Sequence, residues 1–160
     1  MNKLILTLLF ISALLWSCNN KSDDIDTEEP EYVDTTTLVS GYNSLLSHNI
    51  GKDCQQCHQK GGNGKGWFLA SGTVYDSTMQ YVFPNATVYL YDGIDNLAPL
   101  IATIEVDSLG NFYTTDSIDY KNGLHVEVKG ENLTVKMSSL IRSGSCNKCH
   151  GVTTNRIWVK

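Results

Sequence analysis

Trp67-Phe68-Leu69-Ala70-Ser71-Gly72-Thr73-Val74-Tyr75 alternates in character along its length, placing Phe68, Ala70, Gly72 and Val74 on one face. Successive side chains leave a strand on opposite sides, so a period of two marks a half-buried β-strand. The reading extends outward from there. Ala86-Thr87-Val88-Tyr89-Leu90-Tyr91 separates Ala86, Val88 and Leu90 from Thr87, Tyr89 and Tyr91. Residues 100–106 and 112–115 follow, divided by Asp107-Ser108-Leu109-Gly110-Asn111, a turn with glycine where positive φ is wanted. Residues 124–128 alternate again after Asn122-Gly123, and residues 133–137 make a last short strand. Short strands punctuated by turn signals predict a mainly β domain, an antiparallel β-sandwich.

Two identical arrangements flank this region: Cys54-Gln55-Gln56-Cys57-His58 and Cys146-Asn147-Lys148-Cys149-His150. Both read C-x-x-C-H and resemble the attachment motif of c-type cytochromes. The spacing has a chemical reason. Two thiols two residues apart reach the two vinyl groups of a haem and form thioethers, while the adjoining histidine gives the iron its proximal nitrogen. Cys54, Cys57, Cys146 and Cys149 are thus the expected attachment residues for two covalent haem c groups, with His58 and His150 as iron ligands. The same thiols admit other chemistry. Four thiolates can hold one structural zinc, and cysteine pairs can close disulfides in an oxidising compartment. A lone C-x-x-C can also serve as a thioredoxin-like redox pair, but that wants a βαβ context absent here. None of these requires a histidine directly after each second cysteine, and the chain has only four histidines.

The β region has a likeness of its own. Gly72-Thr73-Val74-Tyr75, then Pro84-Asn85-Ala86-Thr87-Val88-Tyr89-Leu90, then Asp107-Ser108-Leu109-Gly110-Asn111-Phe112-Tyr113-Thr114 follow one order. It is that of a G-x-V strand, a proline-small-A-x-V strand, and a D-x-x-G-x-F turn and strand. Over residues 68–137 this resembles the carboxypeptidase-regulatory or transthyretin-like module. The resemblance implies an Ig-like/transthyretin-like β-sandwich with a binding or scaffold role, and it brings no catalytic residues. The whole arrangement resembles small bacterial dihaem proteins in which such a sandwich sits between two C-x-x-C-H motifs.

Met1, Asn2 and Lys3 precede an apolar run from Leu4 to Trp16, the n-region and h-region of a secretory leader, too short to span a bilayer. The run ends in Leu15-Trp16-Ser17-Cys18. This resembles the lipobox of bacterial lipoproteins, although Trp16 stands where a small residue is usual. The resemblance implies lipidation of Cys18 and anchoring to a membrane, with the outer membrane and its periplasmic or cell-surface face expected. A secretory leader with an incidental Cys18 is the alternative. Between Cys18 and Asp34 fall seven of the chain's 17 acidic residues, while Lys3 and Lys21 are the only ones of its 12 basic residues before Thr35. Residues 1–34 therefore carry the whole net charge of −5, and the remainder is balanced. Such a composition cannot offset its ordering entropy and predicts a flexible tether. It also resembles the surface-export signal of Bacteroidota lipoproteins. With no basic face, nucleic acid is excluded as a partner. The expected organisation is a signal peptide at 1–17, an acidic tether at 18–35, a first haem-binding segment at 36–66 with a helical or irregular lead-in, the sandwich at 67–137, and a second haem-binding segment at 138–160.

An iron with a proximal histidine keeps one further axial position. His48, six residues before the first motif, and Met137, nine before the second, are the ranked candidates, against readings as a solvated loop histidine and a core methionine. His125 alternates with Leu124 and Val126 and is expected on the outer face with Glu127 and Lys129; Met79 lies in a loop with no expected role. The combined reading is an exported dihaem c-type cytochrome lipoprotein that passes single electrons among redox partner proteins, a carrier rather than an enzyme, touching the membrane only through its lipid. Two alternatives stay open: a zinc-stapled binding sandwich with no redox role, and a haem enzyme or sensor with an open iron.

Overall fold

The alternating stretches fold as strands, and the chain is mainly β. A computed structural model describes residues 35–93 and 98–160; the expected leader, Cys18 and the tether up to Asp34 lie outside the described residues. The strands are β1 (Ala70–Tyr75), β2 (Thr87–Asp92), β3 (Leu100–Glu105), β4 (Asn111–Thr114), β5 (Leu124–Lys129), β6 (Thr134–Lys136), β7 (Gly144–Ser145) and β8 (Ile157–Trp158). Among the described residues the helical elements are two 3-10 turns, Cys54–Gln56 and Cys146–Lys148. No helix there is long and apolar enough to cross a membrane.

One sheet runs in the order β3-β2-β5-β6 and is antiparallel throughout. Its register places Val88 opposite both Ile104 and Val128, and Leu90 opposite Val126. These side chains meet Ala70, Val74 and Phe112 from the other sheet in a single apolar core, closed by Val106 and Val159. Burying each such aliphatic side chain contributes about 1.5–3 kcal/mol, so the alternation read from the sequence is also the main stabilising pattern. In β5 the prediction for His125 holds: Leu124, Val126 and Val128 are buried, and His125 lies on the opposite side beside Glu127 (3.5 Å), which also pairs with Lys136 (2.6 Å).

The turn before β4 forms as its residues require. The Asp107 carboxylate accepts from the backbone of Leu109 and of Asn111, both at 2.9 Å. Gly110 has φ +76°, and a Cβ there would lie 2.9 Å from the Val74 carbonyl, so only glycine fits the bend.

The other sheet is built around β1. β4 pairs with it antiparallel on one side. On the other side β7 pairs parallel with Ala70 and Ser71, and β8 pairs parallel with Val74 and Tyr75. β7 and β8 thus act as two ends of one interrupted strand, and the second C-x-x-C-H loops out between them. Neither was expected from sequence, because two residues show no periodicity. The lead-in contains no helix. Instead Ser40 donates to the Tyr113 carbonyl (2.9 Å), and Thr115 donates to the Leu38 carbonyl (2.9 Å), so the segment seals the free edge of β4.

All of β1 is buried, including Ser71 and Thr73 at 1% exposure each. Read from sequence, those two small polar residues belong on the outer face of the domain. They are covered because both C-x-x-C-H segments pack over them.

Candidate functional site

The two motifs fold alike. In the first, Asp53 caps the turn through its carboxylate, which accepts from Gln55 N (3.1 Å), and Cys57 N and His58 N both donate to the Cys54 carbonyl (3.2 and 2.9 Å). In the second, Cys149 N and His150 N donate to the Cys146 carbonyl at the same two distances. The second cysteines share a conformation, φ −109° and ψ −40° at Cys57 against φ −112° and ψ −47° at Cys149. Each turn wraps the histidine backbone back onto that of the first cysteine.

The histidines are oriented by the segments that follow them. His58 Nδ1 lies 2.8 Å from the Lys65 carbonyl, and His150 Nδ1 lies 2.7 Å from the Asn155 carbonyl. A carbonyl only accepts, so each Nδ1 is the donor, which in the neutral ring leaves the lone pair on Nε2. The His58 ring stacks on Phe68 at 4.1 Å and 3°. Phe68 in turn stacks on Tyr113 at 4.8 Å. Gly64 lies against the same imidazole: a Cβ there would come within 2.8 Å of the ring. Phe68 and Gly64 therefore fix the ring plane.

Beside His58 opens a cleft of about 440 Å³ lined mostly by apolar surface, with Leu38, Leu46, Phe68 and Tyr113 among its walls and Cys54 and Cys57 on its rim. His48 lines the same cleft, its ring centroid 5.8 Å from that of His58 and its plane tilted by 41°. Leu46 is 85% exposed, an unusual state for a leucine in a cleft wall. At the second motif the space beside His150 is about 40 Å³. Arg156 lies there over the Tyr75 ring at 4.5 Å and donates to the Met79 carbonyl (2.7 Å), while Val152, two residues past His150, is 72% exposed.

The structure brings both motifs to one side of β1. Ser145 Oγ donates to Asp53 Oδ1 at 2.5 Å, joining the residues that precede the two turns. His48 joins the first motif. Met137 does not line either cleft; its backbone bonds to Val126 (2.9 Å) and its side chain packs against the core. All four motif cysteines are unpaired thiols. Among the described residues no three His, Cys, Asp or Glu side chains converge as a metal site, so the four thiols do not meet at one point.

Burial pushes the Cys146 thiol up to about 12, with the charges of Asp53, Cys149 and Cys54 adding to the effect. Burial also raises Cys54, reinforced by Asp53 and partly offset by the Ser71 hydroxyl. A raised value leaves less thiolate, so these are not activated redox thiols. In the cofactor-free protein at pH 8, Cys146 is expected to react with iodoacetamide at least about 100-fold more slowly than a free cysteine. Mass spectrometry of timed alkylation reads this directly; equal rates would show an accessible, ordinary thiol.

Several contributors escaped the sequence reading. Asp53 was findable, since an aspartate just before a turn is a capping signal. Gly64, Thr73, Asn111 and Asn147 carry no such mark, because their roles come from long-range contacts. No family model matches the chain, and no curated protein and no solved structure matches it.

Proposed function

We propose that this protein is an exported dihaem c-type cytochrome lipoprotein that passes single electrons among periplasmic or cell-surface redox proteins, with its two sheets forming a transthyretin-like sandwich. The observation that carries the proposal is the repetition. Two C-x-x-C-H segments, far apart in sequence, fold into the same turn, and each aims an Nδ1-protonated histidine with a free Nε2.

The residues fit the group. Covalently held haem supplies a one-electron iron couple whose potential follows its axial ligands and surroundings. Cys54 and Cys57, and likewise Cys146 and Cys149, provide the thiols for attachment. His58 and His150 would provide the proximal nitrogens, their rings oriented by hydrogen bonds to the Lys65 and Asn155 carbonyls. Leu38, Leu46, Phe68 and Tyr113 supply apolar walls for the first site, and Lys52 and Lys65 are cations in its lining. His48, lining the same cleft with its ring centroid 5.8 Å from that of His58, would supply a further nitrogen to an iron held there. Met137 is left out of the ligand set because its thioether packs on the core. The zinc alternative lacks a point of convergence for its four thiolates. Cys18 carries the lipid that holds the protein to the membrane.

The test is a pyridine haemochrome assay with zinc analysis, on protein exported by a host with cytochrome c maturation. Two covalent haems per chain are expected. No haem, with one zinc per chain, overturns the proposal and leaves a zinc-stapled binding domain.

A further inference from the structure

A buried chain of hydrogen bonds runs from the second motif to the loop that carries His48. Asn147 is the first variable residue of the second C-x-x-C-H and is 4% exposed; Thr73 and Asn111 are each 1% exposed. Where the strand partner of β1 is interrupted between β7 and β8, the Asn147 side chain takes its place. Thr73 N donates to Asn147 Oδ1 (3.2 Å), and Asn147 Nδ2 donates to Thr73 Oγ1 (2.9 Å) and to the Lys52 carbonyl (3.0 Å). The Thr73 hydroxyl also accepts from Gly51 N (3.0 Å) and donates to Asn111 Oδ1 (2.6 Å). Asn111 Nδ2 then donates to Ser47 Oγ (2.9 Å) and to the His48 carbonyl (3.3 Å).

The polarity of this chain is fully determined. Thr73 N can only donate and the Lys52 carbonyl can only accept, which fixes the Asn147 amide. The His48 carbonyl fixes the Asn111 amide in the same way, so the Thr73 hydroxyl must donate to Asn111. One donor and two acceptor positions of that hydroxyl are then all used. Four of the six residues from Ser47 to Lys52 are gripped by this network, and the second motif supplies one of its three side chains.

We propose, resting on the haem reading above, that Asn147 is a positioning residue for the first haem: it holds the 47–52 loop so that His48 stays on the iron beside His58. A substitution inside the second motif then changes the axial ligation of the first. Asn147→Asp keeps the shape and replaces the Nδ2 donor with an acceptor facing the Lys52 carbonyl. Thr73→Val keeps a β-branched strand residue and removes the hub, so it guards against a folding failure of the first variant. Lys148→Ala, at the other variable position of the same motif and exposed, is the control.

The experiment is electron paramagnetic resonance of the oxidised holoprotein at equal haem content, with His48→Ala identifying the low-spin component of the first haem. Asn147→Asp and Thr73→Val are each expected to shift the His48 on/off equilibrium roughly ten-fold towards the off state, the scale of one buried hydrogen bond. That weakens the same component, whereas Lys148→Ala preserves it. Unchanged spectra in both network variants, an equal loss in Lys148→Ala, or no component lost in His48→Ala each overturn the inference. Absence of covalent haem from the unsubstituted protein overturns the functional reading instead.

Discussion

On the proposed dihaem reading, replacing His48 with alanine is expected to give a first site that is high-spin and binds carbon monoxide on mixing once reduced, where the unsubstituted protein stays low-spin. The expectation rests on distance. Imidazoles on opposite sides of one metal, with bonds of about 2 Å, put their ring centres roughly 6 Å apart. His48 and His58 both line the cleft, with ring centroids 5.8 Å apart. Rotation about the axial direction leaves the angle between two axial rings unconstrained, so the 41° tilt is compatible with both acting on one iron. A haem at the second motif would serve as an internal standard, since His48 lines the cleft beside His58 and not the space beside His150. Stopped-flow mixing with carbon monoxide, before and after the substitution, reads the change. If His48→Ala gains no carbon monoxide binding, His48 is a loop residue and the sixth ligand lies elsewhere.

Gly144→Ala should be among the most destabilising single changes in the chain, lowering the unfolding free energy by about 3 kcal/mol or more. A Cβ at this position would collide with the Leu69 carbonyl and the Tyr120 hydroxyl, and would lie 2.6 Å from Ala70 Cα. The first two are themselves hydrogen-bonded to each other at 2.9 Å. Leu69 cannot retreat easily, because its own N–H is held by the Thr114 carbonyl at 2.8 Å. The strain falls on the pairing of β7 with Ala70 and Ser71, the step that sets the second turn in place. Denaturant unfolding of the holoprotein measures the loss, and haem stoichiometry shows whether the second site still loads. A loss below about 1 kcal/mol would mean that β7 shifts without cost and that the sheet does not position the motif.

Local patterns were readable and long-range ones were not. The alternation of residues 124–128 gave β5 and the outward placement of His125, because one face of that sheet is buried and the other is not. β1 was legible as a strand but only half legible as an environment. Alternation sets Ser71 and Thr73 on the face opposite Ala70, Gly72 and Val74, and the fold covers that face with the two motifs. Phe68, grouped by the alternation with Ala70, Gly72 and Val74, departs from their core face and stacks instead on Tyr113 and the His58 ring, a pairing no spacing rule contains. The two C-x-x-C-H motifs themselves were visible, since five consecutive residues make up each one. That the two copies meet over β1 was not visible, because this depends on two-residue strands recognised only by the register they adopt against Ala70 and Val74.

The interrupted strand also bears on association between chains. An exposed strand edge offers unpaired N–H and C=O groups to any extended chain nearby. Along β1 that border is hemmed by Gly144–Ser145, the Asn147 amide and Ile157–Trp158 in turn. The segment that presents the second pair of thiols is therefore also the selvedge of the sheet, so residues 144–158 answer to two demands at once: the chemistry of the motif and the solubility of the fold.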